Sequence, residues 1–463
     1  MGHLLPDEAV GSLDAYLAGG GGRGLTRAAE LGPDGVIDML ARAGLRGRGG
    51  GGFPTGTKWA SIRAGGPEVG DRYVVANGAE GEPGTFKDRT LMAVNPYQVI
   101  EGVEIAVRAV GAVGAFIAVK ASFAPQIAAL GRALEEMAAA ELVGSAPITL
   151  VTGPDEYLFG EEKGLLEVIE GEDPLPRFFP PYVYGLFTAQ PQMGWSAGVD
   201  LSSDGLEVPS SNPTLVNNVE TLATVPVILD RGSEWHRGLG TEQSAGAVIA
   251  TVVGDTHHAG VGEVELGTPL ADVIDQLGGG VRPGHQVKAV LSGVANPVLT
   301  GPDQLATRVS YEGMTTAGSG LGAAGFIVYD ETADMVAVAR AISRFLYVES
   351  CGQCPPCKWG TGEITALLDR ILGGQGTEHD VEVIGARLLR VTDANRCFLG
   401  AQEQRVIGSL LRAFPEEFVA HLEGTAAQAP PAVVPKLVDL VDGVAIYDEY
   451  QARKRPDWTY TDA

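Results

Sequence analysis

The chain has 463 residues, 33 basic against 58 acidic side chains, and a formal net charge of -25. That length accommodates roughly two to four domains with a large core, and 45% hydrophobic with 20% charged residues excludes a mostly disordered chain. So acidic a protein is a poor partner for nucleic acid or an anionic membrane, both of which select basic patches. The opening twenty or so residues carry Asp7, Glu8 and Asp14 and lack a basic-then-apolar run, so no signal peptide is expected. No stretch reaches about 18 uninterrupted apolar residues, which predicts a chain without direct membrane insertion, in the cytoplasm.

In chain order, residues 1–31 are mixed and Gly-rich at Gly19–Gly24, which predicts a loosely held N-terminal extension. Gly32–Leu45 reads as a helix, with Val36, Met39, Leu40 and Ala43 on one face. A glycine-rich loop follows, then a short β-branched run at Tyr73–Ala76 and the acidic turn Glu80-Gly81-Glu82-Pro83-Gly84. Helix is expected over Pro96–Val110 and Ala124–Ala140, and strand over Gly114–Val119 and Ile148–Thr152. This alternation predicts an α/β fold with a mainly parallel sheet. Around 189–209 the composition turns to Gly, Ser, Asp and Pro, the mark of an insertion. A second, smaller unit begins near Ala247–Val253, with strands near Val287–Leu291 and Gly325–Val328. Asp334 to Leu422 is helical in pattern, and Ala426–Pro435 reads as a linker to a C-terminal tail. The expected divisions are 1–31, 32–238, 239–332, 333–424 and 425–463. His257 and His258 read as loop residues.

Gly47, Gly49 and Gly52 formally satisfy G-x-G-x-x-G. The dinucleotide fingerprint needs a strand before that loop, whereas here a helix precedes it and Pro54 follows, so the Rossmann reading fails on context. The physics of the loop survives: six Gly within Gly47–Gly56 let backbone N–H groups approach a phosphate or a flat ring. Arg48 and Lys58 are placed to add positive charge. Glu80, Glu82, Glu161 and Glu162 follow predicted strands, where ligands of α/β sheets bind. Carboxylates there suit ribose hydroxyls and reject an added 2′-phosphate.

The four cysteines, Cys351, Cys354, Cys357 and Cys397, are spaced C-x2-C-x2-C-x39-C. They are too few for a disulfide scaffold. A close triplet plus one remote Cys is a recurring ligand set for a [4Fe–4S] cluster. Zinc sites usually add a second C-x2-C or a His pair, which is lacking here, so a zinc-stabilised structural protein is the weaker alternative. Pro355 and Pro356 are expected to stiffen the loop.

Taken together, Arg46–Lys58 (RGRGGGGFPTGTK), Glu80–Arg89 (EGEPGTFKDR), Tyr157–Glu162 (YLFGEE), Asn217–Leu222 (NNVETL), Glu349–Gly360 (ESCGQCPPCKWG) and Cys397 resemble the NADH-binding flavoprotein subunit of respiratory complex I. They equally resemble its relatives in NAD-linked hydrogenases and formate dehydrogenases. The resemblance implies an FMN-binding α/β domain with a Rossmann-like sheet, a small ubiquitin-like β-grasp domain and a helical bundle holding one [4Fe–4S] cluster. It implies FMN binding by Gly47, Arg48, Gly49, Gly50, Lys58, Asn77, Glu80, Tyr157, Gly160, Glu161, Asn217, Asn218, Thr221, Phe398 and Leu399. It sets NADH/NAD+ against Phe53, Glu82, Glu162 and Tyr182. The implied activity is NADH dehydrogenation: FMN takes a hydride and passes electrons singly through the cluster to a separate iron–sulfur or ferredoxin-like carrier in a hetero-oligomer, which could attach to the cytoplasmic side of a membrane. The rival is a flavo-iron–sulfur relay without nicotinamide chemistry. Three positions depart from the family pattern: Ala79 replaces an aspartate, Lys163 a threonine and Ser61 an aromatic.

Overall fold

The computed structural model describes residues 3–65, 70–188, 211–427, 429 and 431–461. The expected insertion at 189–209 lies outside them. The first unit runs α1 (Leu13–Ala18), α2 (Arg23–Ala43), α3 (Thr55–Ala64), β1 (Tyr73–Asn77), α4 (Lys87–Val94), α5 (Pro96–Val110), β2 (Gly114–Lys120), α6 (Ala124–Ala139), β3 (Ile148–Gly153), α7 (Glu162–Ile169), β4 (Thr214–Asn218), α8 (Val219–Arg231) and α9 (Ser233–Arg237). Its four strands are all parallel, in the order β3-β2-β1-β4. Successive side chains alternate between faces. Val74 and Ala76 join the core under the helices α2, α5 and α8, while Val75, Ala118 and Val216 pack with Phe159 and Leu165 on the other face. Pro96 opens α5 and Gly111, at φ +70°, closes it, so both ends of that helix carry local signals.

The second unit holds β5 (Ala247–Gly254), β6 (Gly260–Glu265), α10 (Leu270–Gly278), β7 (Val287–Ser292), β8 (Leu299–Thr300), α11 (Gly301–Leu305), α12 (Tyr311–Thr316) and β9 (Gly325–Asp330). The strand order is β6-β5-β9-β7-β8, with β5 and β9 parallel and the other pairs antiparallel. This is the β-grasp arrangement. The third unit is a helical bundle of α13 (Met335–Glu349), α14 (Pro355–Leu372), α15 (Glu378–Leu388), α16 (Leu399–Ala413) and α17 (Pro415–Glu423), followed by the hairpin β10 (Leu437–Val441) and β11 (Val444–Tyr447).

Three expectations need correction. Residues 3–31 are not loosely held: Leu4, Tyr16, Leu25 and Ala28 are buried in the main core, and Glu101 accepts hydrogen bonds from the Tyr16 hydroxyl and from Gly22 and Leu25 N–H. The residues after 425 form more than a tail. Their hairpin packs on the bundle, and Lys454, 1% exposed, pairs with the fully buried Glu349 at 2.9 Å. Pro355 and Pro356 do not stiffen a loop but open α14, where the missing N–H groups cost nothing.

His236, on α9, ties that helix to the end of α2. Its Nδ1 lies 2.8 Å from the Ala43 carbonyl, and Nε2 is buried without a partner among the described residues. Burial pushes its pKa from 6.5 down to about 4, so the folded protein holds a neutral imidazole. Its contribution is fully present above pH 6.5 and is lost as pH falls toward 4, because the unfolded chain takes up the proton first. The window is worth on the order of 3 kcal/mol. Denaturation of wild type and His236→Gln at neutral pH and near pH 4 should show a shallower acid loss in the variant; parallel curves would refute it.

Candidate flavin cradle and cysteine pocket

The glycine loop lies between α2 and α3, at the carboxyl end of the parallel sheet. Gly50 and Gly52 have φ of +110° and +60°, and a Cβ on Gly52 would meet the Tyr311 ring at 2.4 Å. The loop is fastened on several sides. Arg48 N–H donates to Thr221 Oγ1 at 2.9 Å, and a Cβ on Gly49 would lie 3.2 Å from Asn218 Cβ. The Asn218 side-chain amide donates to the Asp88 carboxylate at 2.8 Å and to the Asn77 carbonyl, while its oxygen caps α8. Asn77 Nδ2 donates to the Gly160 carbonyl at 2.8 Å. Asn217 accepts from the buried Trp59 indole, and Lys58 donates to the Val216 carbonyl at 2.8 Å and faces Glu162 at 3.4 Å. Gly47, Gly49, Gly50, Lys58, Asn77, Gly160, Asn217, Asn218 and Thr221 thus converge on one shelf.

The shelf tests well against FMN. Gly50 and Gly51 present bare backbone to open space, where a Cβ would meet nothing nearer than 3.8 Å, and Gly160 lets its backbone approach Ala79, since a Cβ there would sit 2.9 Å from the Ala79 carbonyl. Phe53 projects at the rim, 56% exposed. Glu161 caps α7 by accepting from Lys163 and Gly164 N–H, and burial, only partly offset by Lys163, pushes its carboxyl up to about 7.

Other expected site residues are placed differently. The Arg48 guanidinium turns away from the loop and donates to the Ala245 and Ala247 carbonyls of the second unit, so only its backbone serves the shelf. Glu80 is buried, one oxygen accepting from Asp88 N–H and the other from Arg89 at 2.8 Å, and so is not free for a sugar hydroxyl. Glu82 takes the Tyr157 hydroxyl and Val294 N–H, and burial raises its pKa. Tyr182 is not brought to the shelf. Its neighbour Pro181 accepts from Thr214 N–H at the amino end of β4, the opposite end from Asn218.

Sequence reasoning missed the floor of the shelf. Lys87, 1% exposed, lies 2.6 Å from Asp88 and 2.8 Å from Glu220 and donates to Asn218. Burial opposes its charge, yet Asp88 and Glu220 hold its pKa above the ordinary value, while burial raises Asp88 to about 6. The matched EGEPGTFKDR segment contains this Lys-Asp pair, but nothing local marks it as buried. It missed Tyr311 as well, whose hydroxyl donates to the Gly47 carbonyl at 2.8 Å and whose ring lies under Arg46.

The four cysteines line one small pocket with Leu158, Pro176, Arg396 and Leu399. None is in a disulfide. The cavity offers sulfur donors and no carboxylate or imidazole, which fits an iron–sulfur cluster. Burial pushes the Cys357 thiol up to about 11 and the Cys397 thiol to about 12. Phe398 is at the surface under Arg405, and Leu399 is buried against the cysteines. The pocket adjoins the shelf: Gln402 on α16 donates to the Tyr157 hydroxyl at 2.6 Å, and Lys163 donates to the Arg396 carbonyl. Ala79 is a core residue, and Ser61 donates to the Lys58 carbonyl.

Comparisons with known proteins agree with this geometry. Residues 40–227 match the Nuo51 FMN-binding domain, and residues 337–421 match the NADH-ubiquinone oxidoreductase-F iron-sulfur binding region. The chain is 36% identical to the second F-type subunit of NADH-quinone oxidoreductase in Rhizobium meliloti (strain 1021), over 89% of this chain and 94% of that one. It is 33% identical to NADP-reducing hydrogenase subunit HndC of Solidesulfovibrio fructosivorans, over 89% and 81% of the two chains. A chain from the crystal structure of NAD+-reducing [NiFe]-hydrogenase in the air-oxidized state superposes with a TM-score of 0.75 at 32% identity, covering 92% of this chain and 69% of that one.

Because Cys357 lies on α14, which supplies none of the shelf residues, Cys357→Ser should reduce bound iron from about four per chain to near zero while the flavin is retained. Iron analysis beside flavin extraction checks this, and loss of both cofactors would show that the two sites do not form separately.

Proposed function

The chain belongs to the NADH-ubiquinone oxidoreductase-F family of flavoproteins, and we propose that it is the electron-input subunit of a hetero-oligomer, oxidising NADH. The observation that carries the proposal is the juxtaposition of a backbone-lined shelf with a four-cysteine pocket across the Tyr157–Gln402 and Lys163–Arg396 contacts. When bound, FMN would supply hydride acceptance and the [4Fe–4S] cluster single-electron transfer.

The chain's own residues then have defined tasks. The Gly47–Gly52 backbone would let main-chain N–H groups reach the flavin phosphate or ring. Asn77, Gly160, Asn217, Asn218 and Thr221 fix the shelf's shape, and Lys58 holds a positive charge at its edge beside Glu162. Phe53 offers an exposed ring for a base, and Glu162 a carboxylate for ribose hydroxyls. Phe398 and Leu399 border the cluster pocket, which Cys351, Cys354, Cys357 and Cys397 supply with ligands. No side-chain acid or base is needed for hydride transfer, which depends on closeness and orientation. We assign 32–238 to flavin and nicotinamide binding, 239–332 to buttressing the glycine loop and 333–424 to the cluster.

The electron acceptor is a separate iron–sulfur or ferredoxin-like protein. No helix among the described residues is long and apolar enough to cross a membrane, and we place the protein in the cytoplasm, free or held at a membrane by its complex.

Anaerobic titration of the flavin-loaded protein with NADH and NADPH tests the reading. NADH should bleach the flavin band and NADPH should do so about tenfold less effectively or worse, because Glu162 repels a 2′-phosphate. Glu162→Gln should narrow that preference. A flavin that NADH leaves unbleached would reject the dehydrogenase and leave the relay.

A further inference from the structure

A cavity of about 350 Å³ lies apart from the shelf and the cysteine pocket, where the C-terminal segment meets the carboxyl ends of β1, β2 and β3. Those strands present Gly81, Lys120 and Asp155, and the segment beyond the bundle presents Lys436, Tyr450 and Tyr460. The family models matched above end at residue 421, before that segment begins.

Lys120 is the last residue of β2 and is 2% exposed. Among the described residues its ammonium has one hydrogen-bond acceptor, the Asp155 carbonyl at 3.2 Å. An ammonium has three N–H donors, so two are left for something in the cavity. The other cations of the wall are already engaged. Arg89 is held by Glu80 at 2.8 Å and by the Leu437 and Thr85 carbonyls, and Lys436 by Asp448 at 2.9 Å and by Gln451. Asp155 in turn accepts from Ser122. Gly81 keeps the space over the amine open, because a Cβ there would come within 2.9 Å of Lys120 Nζ.

Burial, with Lys436 and Arg89 adding to it and Glu349 and Asp155 opposing, brings the Lys120 amine down to about 7. A buried cation short of acceptors is the condition that an anionic ligand relieves. Phe123, Tyr450 and Tyr460 line the cavity with Val438, an aromatic and apolar lining suited to a flat body.

We propose that this cavity binds a small aromatic or heteroaromatic monocarboxylate, its carboxylate on Lys120 Nζ and its ring against Phe123, Tyr450 and Tyr460. Of the wall's carboxylates, Glu80 and Asp448 are paired with Arg89 and Lys436, and Glu82 and Asp155 accept from Tyr157 and Ser122. Among the described residues of the wall, Lys120 is the one cation left for a ligand, which favours a singly charged carboxylate over a doubly charged phosphate. The wall includes the Glu80-Gly81-Glu82 turn, whose Glu82 touches Tyr157, so the ligand sits one turn from the flavin shelf without entering it.

Calorimetry of the flavin-loaded protein with benzoate, nicotinate and phenyl monophosphate, which lacks the base and ribose that the NADH site would hold, tests the site. The expected result is binding of a carboxylate at one per chain, weakened about tenfold or more by Lys120→Met and several-fold by Tyr450→Ala, with NADH-driven flavin bleaching unchanged in both variants. Tyr450 is 60% exposed, so its variant should fold even if Lys120→Met does not, and an unchanged affinity in Tyr450→Ala then overturns the proposal. It is equally overturned if neither carboxylate binds at millimolar concentration, if the monophosphate binds more tightly than both, or if NADH displaces the ligand. Because binding is read as heat and not as turnover, a protein that fails to oxidise NADH can still pass or fail this test.

Discussion

The buried charge cluster under the flavin shelf is the constraint from which the rest of the first unit follows. Lys87, Asp88 and Glu220 are each almost wholly removed from water, and three charges in so apolar a setting persist only while every partner stays in place. The cluster therefore fixes the first turn of α4, the start of α8 and the Asn218 amide relative to one another. Glu220 extends the tie to the second unit, since its other oxygen accepts from Ile249 N–H on β5. With Asn218 set, the backbones of Gly49 and Asn77 are set too. A shelf whose working groups are mostly main-chain atoms and short amides gains its precision from this floor, because glycine brings freedom but no rigidity of its own.

The β-grasp unit has a comparable role from the opposite side. It places Tyr311 against Gly47 and Gly52 and draws the Arg48 guanidinium onto the carbonyls of Ala245 and Ala247. The loop is thereby held open between two bodies, and a basic side chain that would fill the space above it is drawn out of the way. Arg48 has structural work that its motif position does not disclose.

What can be read from the sequence follows from how local each signal is. The bounds of α5, β2 and β3 are legible because proline, left-handed glycine and alternating β-branched residues act within a few positions. The flavin and cluster motifs are legible because their chemistry needs particular residues at fixed spacing. The N-terminal helices are not, because Gly32 and Pro33 interrupt the pattern of α2, and what holds the segment is Glu101, distant in sequence. Glu80 reads as a ligand because carboxylates at strand ends often are. Its capture by Arg89 is a tertiary fact. The expectation for Tyr182 rests on analogy alone, and chain direction puts it at the wrong end of β4.

The C-terminal segment shows most clearly how distant chain becomes part of a site. Lys358 follows the cysteine triplet directly, and its ammonium donates to the Tyr347 and Ser350 carbonyls before the triplet and to the Pro456 carbonyl of the final segment. Arg344 takes the carbonyls of Gln451, Ala452 and Lys454, while Lys454 and Gln451 converge on Glu349, whose other contact is Tyr157 N–H. The segment from Cys351 into the first turn of α14, which bears three of the four thiols, is thus clamped on its amino side by the same residues that steady the turn leading to the shelf. Desolvation holds the Cys351, Cys357 and Cys397 thiols against ionisation, so a site that must present thiolates depends on a framework that does not yield when their charges are brought together. Residues beyond the bundle supply much of that framework, and the same segment walls the Lys120 cavity on its way there.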